Sequence, residues 1–145
     1  MNTKVAIKDR LKMLGIKPSL QRMAIMECLL EHPVHPTVDM IFNQLSPTIP
    51  TLSKTTVYNT LKLLSEERAI HTVNIDEKNV RYDGDILPHA HFKCKSCGKI
   101  MDVHFQGLEA LKIKQLHGLQ IDECQLLYKG YCQTCQHEIK QTTNN

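Results

Sequence analysis

Two matching brackets, Cys94-Lys95-Ser96-Cys97 and Cys132-Gln133-Thr134-Cys135, carry the sharpest chemical signal in the chain. Two C-x₂-C pairs close a tetrahedral thiolate cage around one Zn²⁺. Disulfide pairing is the other use of such thiols. Equal brackets in a chain expected to stay in the reducing cytosol favour the metal. The 34 residues between the brackets form the body of a small domain whose two ends the zinc would pin together. Just ahead of the first bracket stands His89-Ala90-His91, and five residues after it Asp102. Thiolates select zinc, whereas imidazole with carboxylate suits Fe²⁺, Mn²⁺ or Zn²⁺. Sulfur ligands and oxygen/nitrogen ligands are thus sorted by position, one metal for folding and another for function.

On a strand, His89 and His91 point to the same face, with Asp102 expected on a neighbouring strand. Asp83 lies in the linker before them, and His35, within His32-Pro33-Val34-His35-Pro36, at the entry to a helix in the other half of the chain. Each residue alone reads as a surface polar group; as a set they read as ligands. Cys28 falls in an apolar helical run and reads as core, and the isolated Cys124 as a buried strand thiol.

The elements that must hold these residues follow from periodicity. Val5, Ile7, Leu11 and Leu14 make an amphipathic helix ended by Gly15. Ser19 caps a second, with Leu20, Ala24, Cys28 (or Met23, Ile25) and Leu29 on its buried side. Pro36-Thr37 opens a third, with Val38, Ile41, Phe42 and Leu45 inward, and Ser46–Pro50 is a loop. Ser53 caps a fourth helix running to about Glu67. Val57, Leu61 and Leu64 form its core stripe; Thr55, Tyr58, Asn59 and Lys62 share the opposite face. That face carries short hydrogen-bonders and one cation rather than the usual Glu and Lys, which suits phosphates and base edges. Ser53 and Thr56 at the helix start complete the candidate DNA-contacting set. Ile70–Ile75 and Val80–Tyr82 read as two strands around Asp76-Glu77-Lys78-Asn79. Helix-turn-helix order followed by a hairpin is a winged helix.

Further on, short strands are expected near Phe92–Cys94 and Lys99–Val103, a helix from about Gly107 to His117 with Leu108, Leu111 and Leu116 inward, and a strand near Gln120–Tyr128. Gln141 to Asn145 reads as a frayed polar tail. The expected class is α+β: a winged helix-turn-helix domain over residues 1–82, a hinge over 83–88, and a small α/β domain over 89–145. The second domain is thin enough to need zinc and a second copy of itself.

Bulk composition fits. At 145 residues and 41% hydrophobic, the chain has room for two small packed domains. Net charge is only +3, and residues 1–36 hold six Lys/Arg against three Asp/Glu. On charge alone that excess is a solvated helix face, though it is compatible with a phosphate partner. Neither a signal peptide nor a membrane-spanning run is evident, so the cytoplasm is the expected address.

The ordered segments His35-Pro36-Thr37-Val38-Asp39, Thr55-Thr56-Val57-Tyr58-Asn59-Thr60-Leu61, Arg81-Tyr82-Asp83, His89 through Lys99, Asp102 and Cys132-Gln133-Thr134-Cys135 resemble the ferric uptake regulator (Fur) family of metal-dependent bacterial repressors. The likeness spans roughly residues 5–138. It implies an N-terminal winged helix, a C-terminal dimerisation domain, a homodimer, a Cys₄ structural zinc and double-stranded operator DNA as partner. Within the family the chain is most similar to the peroxide-sensing repressor (PerR) branch. Asp83 is the hinge carboxylate, and Asp102 stands where iron-uptake regulators usually carry Glu. Tyr58-Asn59 stands where they have Tyr-Arg. Pro88 and Ala90 occupy two ligand positions of an additional metal site, and Cys124 replaces a further His of it, while Glu109 remains.

The resemblance leaves one regulatory site, His35, Asp83, His89, His91 and Asp102, for Fe²⁺ or Mn²⁺. It implies sensing by oxidation of a ligand histidine, His35 or His89. An iron-responsive uptake repressor is the nearest alternative, and a manganese or zinc regulator another. From other classes, two histidines and a carboxylate also suit a non-haem Fe²⁺ oxygenase, and a zinc-stapled module that only dimerises would use the same cysteines. Neither an enzyme nor an organic small-molecule substrate is expected.

Overall fold

The computed structural model describes residues 3–31, 35–76, 78–87, 89–111 and 113–143. The sequence expectations at His32, Pro33, Val34, Glu77, Pro88 and Asn145 fall outside them. The chain divides into two compact units, Met1–Ile86 and Leu87–Asn145.

The first unit is helical and ends in a hairpin. Helix α1 (Thr3–Met13) buries Ile7 and Leu11 and leaves Val5 at the surface. It closes with Gly15 N–H donating to Lys12 O and Ile16 N–H to Leu11 O, which satisfies its last carbonyls. Helix α2 (Leu20–Glu31) is capped by Ser19, whose hydroxyl accepts from Arg22 N–H at 3.2 Å. Its buried stripe is Ile25, Met26, Cys28 and Leu29. Leu20, expected inward, is 86% exposed, because the stripe is set by Ile25 and its neighbours rather than by the residue next to the cap. Helix α3 (Val38–Leu45) is capped by Thr37 and buries Ile41, with Val38, Phe42 and Leu45 packed partly against the core.

Helix α4 (Lys54–Glu66) is capped by Ser53, whose hydroxyl accepts from Thr56 N–H at 3.0 Å. Val57, Leu61 and Leu64 are fully buried, as their spacing requires. Lys54 pairs with Asp39 at 3.1 Å, joining the start of α4 to α3. Strands β1 (His71–Val73) and β2 (Arg81–Asp83) pair antiparallel, with Val73 opposite Arg81 and His71 opposite Asp83. Tyr82 turns into the helical core. Four helices and a wing around one apolar core make the winged-helix half of an α+β fold.

The second unit centres on a three-stranded sheet. Strand β3 (Ala90–Cys94) is central, antiparallel to β4 (Ile100–Val103) and parallel to the later β7 (Leu127–Gly130). The helix expected over Gly107–His117 is not there. A short 3₁₀ turn covers Leu108–Leu111, and a hairpin of β5 (Gln115–Leu116) and β6 (Leu119–Gln120) follows. Only Leu108 of the expected inward stripe is buried; Leu111 and Leu116 are each 45% exposed. His117 and Gly118 both take positive φ, 51° and 77°, which closes a two-residue hairpin loop and cannot continue a helix. The strand expected over Gln120–Tyr128 survives only at its two ends, as β6 and β7. Cys124 lies between them, exposed rather than buried in a strand. Helix α5 (Gln133–Thr143) was not anticipated, and it takes up most of the segment read as a tail. No helix among the described residues is long and apolar enough to cross a membrane.

Candidate metal centres and nucleic-acid face

The sulfur site is built by β3, β7 and α5. Cys94 ends β3, and the chain turns back sharply. Gly98 N–H donates to Cys94 O at 3.0 Å and Cys94 N–H to Lys99 O at 2.9 Å, with Gly98 at φ +75°, a conformation costly for residues with a Cβ. Parallel pairing sets Cys94 opposite Gly130, two residues before Cys132, and Cys135 falls in the first turn of α5. The four ligand sulfurs lie within 4.8 Å of one another. Cys97 Sγ and Cys132 Sγ stand 3.8 Å apart. Two thiolates on one tetrahedral Zn²⁺ with bonds of about 2.3 Å would stand roughly 3.8 Å apart, so the spacing fits. Cys132 N–H donates to Cys94 Sγ at 3.4 Å. That and neighbouring backbone donors lower the Cys94 thiol to about 6. Cys135 is pushed up to about 12, chiefly by its hydrogen bond with the Cys132 thiol. A dication bound among these sulfurs would displace the protons they carry.

The oxygen/nitrogen residues form two groups, one in each unit. In the second unit, His91 on β3 is the cross-strand partner of Asp102 on β4. Asp102 Oδ1 lies 3.5 Å from both His89 Nε2 and His91 Nε2, and the two ring nitrogens are 3.1 Å apart. Ligand atoms about 2.1 Å from one cation and at right angles stand about 3.0 Å apart, so this triangle accepts a cation with little movement. His89 Nδ1 is hydrogen-bonded to Leu87 O at 2.7 Å, leaving Nε2 as the ligating nitrogen. The His104 ring stacks on His89, centroids 5.4 Å apart.

In the first unit, His35 Nδ1 lies 3.6 Å from Asp83 Oδ2, with His35 1% and Asp83 5% exposed. A histidine and a carboxylate held together inside an apolar unit are a costly pair to bury without a purpose. His35 has φ +50°, a left-handed conformation that non-glycine residues rarely take. Asp83, expected at the start of the hinge, is the last residue of β2, and its Oδ1 accepts from Asp85 N–H at 2.9 Å. Arg10 of α1 donates to Ala69 O and, at 3.5 Å, to Gly84 O, fixing the backbone after Asp83. Burial lowers the Arg10 pKa from its usual value, and Asp85 opposes the shift.

On α4, Thr55, Tyr58, Asn59 and Lys62 are all exposed on the face opposite the core stripe. Ser53 and Thr56 also serve the cap, their hydroxyl oxygens 2.9 Å apart. A groove of about 490 Å³ beside this face is lined by Lys17, Ser19 and Arg22 with Thr56 and Asn59. Cationic and hydroxyl groups flanking an amide-bearing helix face are suited to a phosphate backbone. Sequence reasoning overlooked Arg10, His104 and the partners of Arg81. Arg81 was visible only as a member of a motif, because its partners lie 5, 41 and 46 residues away.

The ferric uptake regulator family model matches residues 13–129. The peroxide operon regulator of Bacillus subtilis (strain 168) is 33% identical over 129 residues, covering 88% of this chain and 89% of its own. Among solved structures, the ferric uptake regulator from Francisella tularensis with iron has a TM-score of 0.65 at 25% identity, covering 84% of this chain and 96% of that one. PerR from Streptococcus pyogenes, whose structure concerns peroxide sensing and gene regulation, has a TM-score of 0.51 at 26% identity, covering 93% of this chain and 94% of that one. The chain belongs to the ferric uptake regulator family.

Proposed function

We propose that this member of the family is a metal-dependent, DNA-binding transcriptional repressor, a homodimer that releases its operator when peroxide oxidises a ligand histidine. The observation that carries the reading is the split ligand set: His35 with Asp83 in one unit, His89, His91 and Asp102 in the other, each group joining imidazole to carboxylate. A cation held by all five residues would hold the DNA-binding domain (1–82) and the dimerisation domain (89–145) in one orientation across the 83–88 hinge. A ligand shifts a conformational equilibrium only by binding one state better, and ligands drawn from both units supply that difference.

Cys94, Cys97, Cys132 and Cys135 would hold a structural Zn²⁺ that keeps the dimerisation domain folded. In the dimer, two α4 helices would read two half-sites of a pseudo-palindromic double-stranded operator. Ser53, Thr55, Thr56, Tyr58, Asn59 and Lys62 are the contacting set. His89 keeps Nε2 for the cation through its bond to Leu87 O. Fe²⁺ bound among these residues would supply peroxide reduction beside the His35 and His89 rings, whereas Mn²⁺ would support repression without it. An oxidised ring ligates poorly, and operator release follows. The short Asp102 and the peroxide-regulator relative support this over the iron-responsive alternative. The protein would act in the cytoplasm as a regulator, with no substrate to turn over.

The test is operator binding with Mn²⁺ or Fe²⁺, each with and without hydrogen peroxide, on DNA selected from a random pool by the Mn²⁺ form. Release by peroxide only from the Fe²⁺ form, with oxygen gained on the peptides bearing His35 or His89, is expected. Release without any gained oxygen refutes the oxidation mechanism. Indifference to peroxide with loss of binding on iron removal assigns an iron-responsive repressor. Binding indifferent to every metal refutes the regulatory site.

A further inference from the structure

His35 is buried, polar and in a left-handed backbone conformation, so something must hold it there. Such conformations persist only where the surroundings over-determine them. Three consecutive residues of β2 do this. Tyr82 N–H donates to Pro36 O at 3.1 Å, Asp83 faces the His35 ring at 3.6 Å, and Arg81 Nη1 donates to His35 O at 3.3 Å. Of these, the family resemblance implied only the nearness of Asp83 to His35, as two ligands of one site.

Arg81 is itself tied. Its Nε and Nη2 both donate to Asp76 Oδ2 at 3.1 Å. The other oxygen, Asp76 Oδ1, accepts from Lys78 N–H at 3.0 Å and so closes the wing turn. The pair is largely shielded, with side chains 22% and 16% exposed. Arg81 therefore spends one edge of its planar fork on an anchored carboxylate and its remaining amino group on the carbonyl of His35. Fixing that carbonyl fixes the peptide plane that follows the residue, and with it the direction of the imidazole. A lysine could offer the charge but not both contacts from one rigid group.

We propose that Arg81, anchored on Asp76, is a positioning residue that aims the His35 imidazole at the regulatory cation, and so links the wing turn to metal affinity. The inference rests on the reading of His35 as a ligand. Partners that orient a ligand from outside typically matter by 10–100-fold in metal affinity. Arg81→Lys in the full-length, zinc-loaded chain is expected to weaken Mn²⁺ binding about tenfold, with its zinc content and manganese-free melting temperature unchanged. Binding is read from the loss of the free Mn²⁺ electron-spin-resonance signal. Asp76→Asn, which keeps the oxygen toward Lys78 but frees the arginine, should weaken binding in the same direction and serves if Arg81→Lys does not fold.

The deciding comparison uses His35→Ala. If Arg81 acts through His35, Arg81→Lys adds no further loss once the imidazole is gone. Additive losses would overturn the proposal, since Arg81 would then act elsewhere. Full affinity in Arg81→Lys and Asp76→Asn, with affinity lost in His35→Ala, would also overturn it while leaving the site intact. Full affinity in His35→Ala itself would overturn the site reading, and the proposal with it.

Discussion

The two units are stabilised by different means. The first buries a continuous set of side chains from four helices and the wing, including Leu11, Ile25, Met26, Ile41, Val57, Leu61 and Leu64, all fully inaccessible. The second buries, among its described apolar residues, only Ala90, Cys94, Leu108 and Cys135, and two of these are in the cysteine brackets. Meanwhile Leu116, Leu119, Tyr128, Tyr131 and Ile139 stand at its surface. An apolar core holds the first unit without help. The second, small and thin, has in place of such a core four sulfurs within 4.8 Å of one another, suited to a metal. The difference bears on function: one unit packs around its own core, while a metal at the cysteines would hold the fold of the other.

The comparison breaks most severely at the cysteines. Cys135→Ser, or a strong zinc chelator, should unfold the second unit and spare the first. The zinc contribution in small cysteine sites is on the order of 10 kcal/mol. Hydrogen-exchange mass spectrometry would show protection lost across 87–143 and kept across 3–76; loss across both would mean that the first unit is not self-sufficient. Leu61→Ala inverts the pattern. It should cost the first unit about 2–5 kcal/mol and leave the zinc content unchanged, read by denaturant unfolding alongside metal analysis.

His89→Ala should move neither stability. It should weaken Mn²⁺ binding about a hundredfold, equivalent to about 2.7 kcal/mol, and abolish operator binding at low Mn²⁺. A fallen melting temperature would make His89 structural instead. Asp102→Glu is the finer version, blunting the peroxide response more than operator binding, as gel shifts with and without peroxide would reveal. Ser53→Ala is the smallest, about 1 kcal/mol from the lost cap of α4; a larger fall in operator affinity than in stability would place the hydroxyl on the DNA.

Legibility also differed between the units. In the first, spacing sufficed for the helices. Val57, Leu61 and Leu64 lie inward, Thr37 and Ser53 cap, and the wing pairs, because each signal is read within a turn or two of chain. Leu20 escaped because one apolar residue beside a cap cannot say which way a helix is rolled. In the second unit the Leu108, Leu111, Leu116 spacing mimicked a helix, yet His117 and Gly118 turn the chain into a hairpin. Helix α5 was missed because its sequence is polar apart from the buried Cys135 and an exposed Ile139.

By itself the sequence determined the chemistry on offer: two C-x₂-C brackets, three histidines and two aspartates at fixed positions, a core stripe and a face of hydrogen-bonders. Ligand type and local periodicity are properties of residues and their near neighbours. What the tertiary structure alone decided was convergence. Parallel pairing of β3 with β7 brings the second bracket to the first. Antiparallel pairing sets Asp102 beside His91, and an arginine 46 residues away holds His35 in its left-handed turn. Those contacts arise from chain closure between distant segments, whose free energy depends on the whole packed unit and is written in no local pattern.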